Sequence, residues 1–291
     1  MFRKLIALGI VLIHFSAGAQ DSLLSLLKVA SLPSNAFISA TFKATHIVNT
    51  QTVESPAKGD LNFIIMHRFG KINDGSYNFF GLDNATLRLG LDYGITDRLA
   101  AGIGRSSLEK TFDGYLKYKL LRQTEEERMP VSVSLLGVIT NYTLKFGGKP
   151  YLNAKYRTTY VSQVLIARKI NSKISLQFAP SWLHFNLVPT IRDNNDVFAA
   201  TAGGRLKLTK RMSITGEYTY VPDGQLESLN SKNSLSLGVD IETGGHVFQL
   251  IFSNSQGMTE PQFIGRTQGS WGKGDIYFGF NVSRNFTLKK K

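Results

Sequence analysis

What most constrains this chain is a two-residue alternation that recurs from about residue 61 to its end. In Thr86 to Tyr93, Leu87, Leu89, Leu91 and Tyr93 fall on one face, and Thr86, Arg88, Gly90 and Asp92 on the other. In Ser234 to Ile241, Leu235, Leu237, Val239 and Ile241 oppose Ser234, Ser236, Gly238 and Asp240. Near the end, Ile276, Phe278, Phe280 and Val282 oppose Asp275, Tyr277, Gly279 and Asn281. A helix would set Arg88 and Leu91 on one side, so these runs read as strands. Each is about ten residues long, the length of a tilted strand that crosses a bilayer. Tyr93, Tyr118, Tyr218, Tyr220 and Phe286 sit near strand ends, where interfacial girdles belong. A soluble β-sandwich also alternates, but it requires neither the strand length nor the aromatic ends.

The N-terminus sets the compartment. Arg3 and Lys4 precede the apolar stretch Leu5 to Phe15 and the small residues Ala17-Gly18-Ala19. This is the pattern of a secretory signal peptide, with cleavage expected after Ala19 and a mature chain from Gln20. The apolar run falls short of the roughly 20 residues of a spanning helix. With no Cys in the chain, neither a lipid-modified cysteine nor a disulfide framework is available. The expected fold is all-β, a transmembrane antiparallel β-barrel of about 12 strands in a bacterial outer membrane.

Connection lengths give the topology. Turns at 94–97, 170–173, 209–211 and 242–245 are short, whereas 70–85, 141–155, 188–196, 222–233 and 255–274 are long. Outer-membrane barrels keep short turns in the periplasm and long loops outside. The Arg122 to Pro130 connection, with Glu125-Glu126-Glu127-Arg128, is long for the periplasmic side and reads as a solvated turn. Twelve strands between residues 61 and 286 leave both ends of the barrel in the periplasm. A further alternating run, Phe37 to Val48, is either a periplasmic or lumenal segment or part of a fourteen-stranded barrel, paired with a strand near Leu23 to Ala30. The Leu-rich piece Leu23 to Leu27 reads more simply as a short amphipathic helix. The organisation expected is a signal peptide at 1–19, a periplasmic or lumenal segment at 20–60, the barrel at 61–286 and a basic tail at 287–291.

Parity places Arg88, Arg98, Lys117, Lys119, Arg205 and Lys207 inside the lumen, with Asp92, Asp113, Glu217, Asp240 and Asp275. The two signs nearly balance. Such a set suits a lumen crossed by ion pairs, because buried charges need partners, and equally a polar channel of modest anion preference. The runs 156–169 and 174–187 cannot be assigned to faces. The formal charge of +13, two units of it in the signal, favours anionic partners such as lipopolysaccharide phosphates and anionic solutes. The basic residues are scattered and no recognition helix is present, which argues against nucleic acid. The loop 255–274, with Met258, Glu260, Phe263, Arg266 and Trp271, reads as an external loop anchored by its aromatics, or as a fold-in constriction. The Tyr77 to Asn84 stretch is read the same way.

Catalytic signatures are sparse. His14, His46, His67, His184 and His246 form no HExxH and no zinc spacing, and no G-x-S-x-G occurs. Gly102-Ile103-Gly104 opens like a dinucleotide loop, but Ser107 stands at the third glycine position and the run reads as a strand. No catalytic residue, cofactor or metal is implied. A barrel hydrolase assembled around His67 or His246 is a third reading, behind a small passive pore and a closed structural or partner-binding barrel. The solute is left open.

The mature chain resembles a family of uncharacterised outer-membrane β-barrel proteins of Bacteroidetes-type bacteria. The resemblance is carried by His67-Arg68-Phe69-Gly70, Phe79-Phe80-Gly81-Leu82-Asp83, the stretch Leu89 to Leu99, Gly104-Arg105-Ser106-Ser107, Asp113-Gly114 and Lys117 to Gln123. It continues in Leu165 to Lys169, Asn186 to Pro189, Asp240 to Leu250 and Gly274 to Asn281. It implies the fold and the location, with outer-membrane lipid, lipopolysaccharide and the barrel assembly machinery as partners, and carries no site residues. The chain departs from the usual terminal aromatic of such barrels, because Phe286 is followed by Thr287-Leu288-Lys289-Lys290-Lys291.

Overall fold

The computed structural model describes residues 36–288. In it, twelve antiparallel strands close on themselves, each paired with its sequence neighbours and the first with the last. They are β1 (Asp60–Lys71), β2 (Ala85–Gly94), β3 (Leu99–Ser106), β4 (Thr111–Leu121), β5 (Ser132–Tyr142) and β6 (Thr158–Lys169). The second half comprises β7 (Ile174–Phe185), β8 (Asp196–Lys207), β9 (Met212–Tyr220), β10 (Ser234–Thr243), β11 (His246–Ser253) and β12 (Tyr277–Thr287). Leu61 opposite Phe286 and Ile65 opposite Val282 set the closing register. Closure satisfies every wall strand on both edges, which a strand in lipid requires.

The alternation sorts by environment. Leu89, Leu91, Ile103, Leu116, Phe178, Phe198, Leu237, Leu250 and Phe252 are exposed on the outer wall. A continuous apolar surface of this kind is untenable in water and is what lipid demands. Among the described residues no helix is long and apolar enough to cross a membrane. The barrel crosses with its strands.

The inner wall has two unlike halves. On β5 to β8 about half of the buried inward side chains are apolar, among them Leu136, Val138, Val161, Leu165, Ala179, Leu183 and Val197. On the remaining strands they are mostly polar or charged, among them Arg68, Arg88, Asp92, Lys117, Glu217, Asp240, Gln249 and Asn281.

The run Phe37 to Val48 adds no wall strand, so the fourteen-stranded alternative does not hold. Residues 41–53 instead form a hairpin inside the barrel, closed by Ile47 N to Thr50 O at 2.9 Å and Thr52 N to Thr45 O at 2.8 Å. It enters at the end of the short turns, where Ile38 N meets Gln123 O and Glu125 N meets Ala36 O. It leaves where Gly59 N meets Gly94 O. The Arg122 to Pro130 connection is therefore more than a solvated turn, since its first residues hold the entering chain and Gln123 is buried. From the opposite end the β11–β12 loop folds inward, and all six residues of its helix α1 (Glu260–Gly265) are buried. The expected signal peptide at 1–19, the stretch Leu23 to Ala30 and the last three residues lie outside the described residues.

Candidate functional site

The lumen is occupied, and what its wall residues do follows from what occupies it. A hairpin with no wall strand beside it presents bare N–H and C=O groups that must find partners. The wall supplies them as side chains. Glu217 on β9 accepts hydrogen bonds from the N–H groups of Val48, Asn49 and Thr50 at 3.2, 2.9 and 3.1 Å. Four strands round the wall, Arg68 on β1 donates to the Asn49 side-chain oxygen at 2.8 Å and to Asn281 at 2.9 Å. The turn of the hairpin is thus held between an anion on β9 and a cation on β1.

The legs of the hairpin are held the same way. Lys117 on β4 donates to the carbonyls of Thr52 and Glu54 at 3.0 and 2.7 Å. Gln177 donates to Gln51 O at 2.7 Å and accepts from Val53 N at 3.1 Å. Gln249 donates to Ile47 O at 2.8 Å, and Asn281 to Val48 O at 2.9 Å. Thr45 donates to Asp92, which also accepts from Asn62. Among the described residues, every hydrogen bond between segment 41–53 and the wall runs through a side chain. Ile47, Val48 and Val53 pack against the apolar half of the lumen, as do Phe263 and Ile264 of α1. Each such side chain contributes about 1.5–3 kcal/mol by burial. Gly203 on β8 leaves room for this packing, because a Cβ there would lie 2.7 Å from Ile47 Cδ1.

The two inserts meet. Gln51, beside the hairpin turn, lies near the carboxylate of Glu260 at the start of α1. Gln262 ties α1 to the β3–β4 turn, donating to Leu108 O at 3.4 Å and Thr111 Oγ1 at 3.3 Å. Arg266, which ends α1, pairs with Glu109 of that turn at 2.9 Å. Beside this column, Arg88 and Asp113 form a buried bidentate pair, with Nε donating to Oδ1 at 2.9 Å and Nη2 to Oδ2. Gly104 makes space for the pair, since a Cβ there would fall 2.5 Å from Arg88 Nη2.

Of the residues placed in the lumen by parity, Arg88, Asp92, Asp113, Lys117, Arg205, Glu217 and Asp240 are buried there. Arg205 donates to Ser213 at 3.0 Å, and Asp240 accepts from Gln249 at 2.9 Å. Lys119 and Lys207 are only half-buried, near the short-turn end of their strands. Two assignments fail. Arg98 is exposed in the turn before β3, because that strand begins one residue later, at Leu99. Asp275 stands at the external rim, paired with Lys71 at 3.1 Å, because β12 begins only at Tyr277. Parity could have offered Arg68, which sits beside an outward His67. The amides Asn62, Gln177, Gln249 and Asn281 carry no charge signal, and only a partner inside the lumen reveals their role.

Among the described histidines, His184 pairs with Asp196 at 2.8 Å on the outer wall. His67 stacks on Phe280 at 4.9 Å on the outer wall, and His246 stacks on Phe248 at the β10–β11 turn. Among the described residues no cluster of His, Cys, Asp or Glu could hold a metal ion.

The family model described as "Membrane bound beta barrel domain (DUF5777)" matches residues 42–286. No curated protein matches the chain in sequence. Among solved structures, the NanC porin superposes with a TM-score of 0.51 at 9% identity, covering 77% of this chain and 98% of that one. The KdgM porin gives 0.47 at 8% identity, covering 77% and 99%. An outer-membrane channel from Pseudomonas putida F1 gives 0.45 at 13% identity, covering 80% and 97%. At these identities the likeness is one of fold. Family and fold together describe a porin-like barrel of the outer membrane with its outer wall in lipid.

Proposed function

Because the chain belongs to this family of membrane-bound β-barrel domains, we propose that it is a passive outer-membrane channel with a gate built from its two inserts. The observation that carries this reading is how the hairpin is held. Backbone hydrogen bonds fix it at its two ends, at Ile38 and Gly59, whereas between them the wall holds it through side chains alone. Such a segment can swing about its fixed ends while every wall strand keeps its ladder. Behind it lies a polar wall face suited to water. The solute is a small polar or anionic one, in keeping with the basic balance of the chain.

A second reading, a closed structural or partner-binding barrel, is favoured by the single apolar cluster that joins Ile47, Val48, Phe263 and Ile264 to wall residues such as Leu136, Val161 and Leu183. Catalysis has the least support, since His67 and His246 face outward and lie apart. On the same proposal residues 1–19 are a cleaved export signal, 20–60 lead into the lumenal hairpin, and 287–291 form a basic periplasmic tail. Lipopolysaccharide and the barrel assembly machinery would be partners, the latter through Phe286, and the source would be a Bacteroidetes-type bacterium. Single-channel recording of the refolded mature protein separates the first two readings. Intermittent discrete steps support the gated channel, and a silent bilayer holding folded protein favours the closed barrel.

A further inference from the structure

The β5–β6 connection, residues 143–157, carries Lys145, Lys149, Lys155 and Arg157 and no acidic residue. Among the described residues none of these four is in an ion pair. With the β3–β4 turn, the inserted loop and the β7–β8 and β9–β10 loops at Leu187 to Pro189 and Leu229, this connection lines an open cleft of about 560 Å³ at the external mouth. That volume suits a small-molecule ligand. Its walls carry the aromatic rings of Tyr142, Phe146 and Tyr151, and its charged groups are Lys149, Arg266 and Glu109. Phe146 is 40% exposed and Tyr151 59% exposed, although these loops face water rather than lipid. Bare aromatic rings beside Lys149, which has no ion-pair partner among the described residues, and beside the guanidinium of Arg266 are what a ring-bearing anion needs on its two sides.

Arg266 is the centre of this arrangement. Its guanidinium lies 5.7 Å from the ring centroids of both Tyr142 and Phe185, while Arg157 lies 5.7 Å from Tyr142 and Lys149 6.0 Å from Phe146. The one carboxylate it meets is the chain's own, Glu109, at 2.9 and 3.1 Å from Nη1. Glu109 reaches it from a turn in which Glu109 and Lys110 both hold positive φ, at 52° and 51°. Residues other than glycine seldom adopt that conformation. Glu109 thus occupies the position on Arg266 that a bound anion would take.

We propose that this cavity binds a small soluble anion built on a ring, whose carboxylate takes over Arg266 from Glu109. The floor of the cavity is the inserted loop itself, at Asn254, Gln262 and Arg266, so the site lies over the lumen and not on the lipid-facing wall. A consequence, which rests on the channel reading, is that this exchange frees the C-terminal end of α1 from the β3–β4 turn.

Calorimetric titration of the detergent-solubilised mature protein tests the site without reference to conductance. The probes are sodium benzoate and sodium glucuronate, with benzamide and glucose as their neutral counterparts. Saturable binding of either anion, at least tenfold tighter than its neutral counterpart, is the expected result. Arg266→Gln weakens that binding about tenfold, equivalent to one charge-assisted contact. Glu109→Gln tightens it several-fold, because the competing carboxylate is gone, and this variant serves if Arg266→Gln folds poorly. Equal binding of neutral and charged probes, no saturation by either anion, or weaker binding in Glu109→Gln overturns the proposal. Binding with a silent bilayer leaves the site standing and removes the channel; conductance without binding does the reverse.

Discussion

Replacing Glu217 with Ala removes the anion that accepts three consecutive N–H groups at the hairpin turn. A buried donor left without a partner costs about 1–3 kcal/mol. Water admitted into the space of the lost side chain recovers part of this, so the net loss to the closed state is about 2–4 kcal/mol. At about 1.4 kcal/mol per decade, the equilibrium between closed and open shifts by roughly 30- to 1,000-fold. Glu217→Gln keeps one acceptor oxygen and loses the charge, so its effect falls between wild type and Ala. Single-channel recording gives the open fraction of each variant, with heat-modifiable gel migration as the check on folding. An open fraction unchanged in a folded Glu217→Ala barrel, or a larger effect from Gln than from Ala, would refute this account of what holds the hairpin.

Three further outcomes follow from the same contacts. Arg88→Met strands Asp113 in the lumen and lowers stability by about 3–5 kcal/mol, read as earlier loss of the compact band on heating, whereas Arg88→Met/Asp113→Leu recovers most of it. Equal stability of the single and double variants would contradict the pairing. Gly203→Leu drives a side chain into the space of Ile47 and raises the open fraction, while Gly203→Ala, whose Cβ meets Ile47 Cδ1 at 2.7 Å and Gly216 O at 3.1 Å, raises it less. Asp193 stitches the β7–β8 and β9–β10 loops, accepting from Thr190 N, Thr190 Oγ1 and Ser228 N at 3.1, 2.9 and 2.9 Å. Partial burial opposes its ionisation, but the hydrogen bonds from Ser228 and Thr190 outweigh it and hold the carboxyl below its usual range. The stitch is therefore fully present above the unfolded carboxylate pKa of about 4 and is lost as pH falls through the lower folded value. Proteolysis of the external loops should accelerate in acid with an acid-tolerant protease, and Asp193→Asn should lose that pH dependence.

The wall of the barrel was legible because one face met lipid and the other met polar groups. Where that contrast fails, so does the reading. On β6, Val161, Leu165 and Ala167 face inward and Val164 and Ile166 outward, so both faces are apolar and periodicity has nothing to register. The cause is the hairpin, which needs an apolar surface to pack on. Charges at inward parity included Arg88, Asp92, Asp113, Lys117, Arg205, Glu217 and Asp240, all of them buried. Their partners could not be read, because Glu217 and Lys117 bind backbone groups, which no side-chain pattern encodes. Strand ends were the other weak point. Arg98 and Asp275 keep the parity of their neighbours but lie one and two residues outside β3 and β12. The loop 255–274 offered two readings, and its helix breaks no sequence rule in either. Only the burial of Phe263 and Ile264 distinguishes a fold-in insert from a surface loop.

The account stands most directly on whether the hairpin closes the lumen. The Cys-free chain allows a lock, because Val48 Cγ2 lies 3.5 Å from a Cβ placed at Gly238, so that sulfurs substituted at the two positions come within bonding reach once the Thr215 hydroxyl, 2.7 Å from that Cβ, turns aside. Val48→Cys/Gly238→Cys should fold, stay silent in a planar bilayer when oxidised, and regain discrete openings when the bond is reduced. Steps of the same size and frequency in both states would contradict the account, since ions would then pass with the hairpin fixed in place.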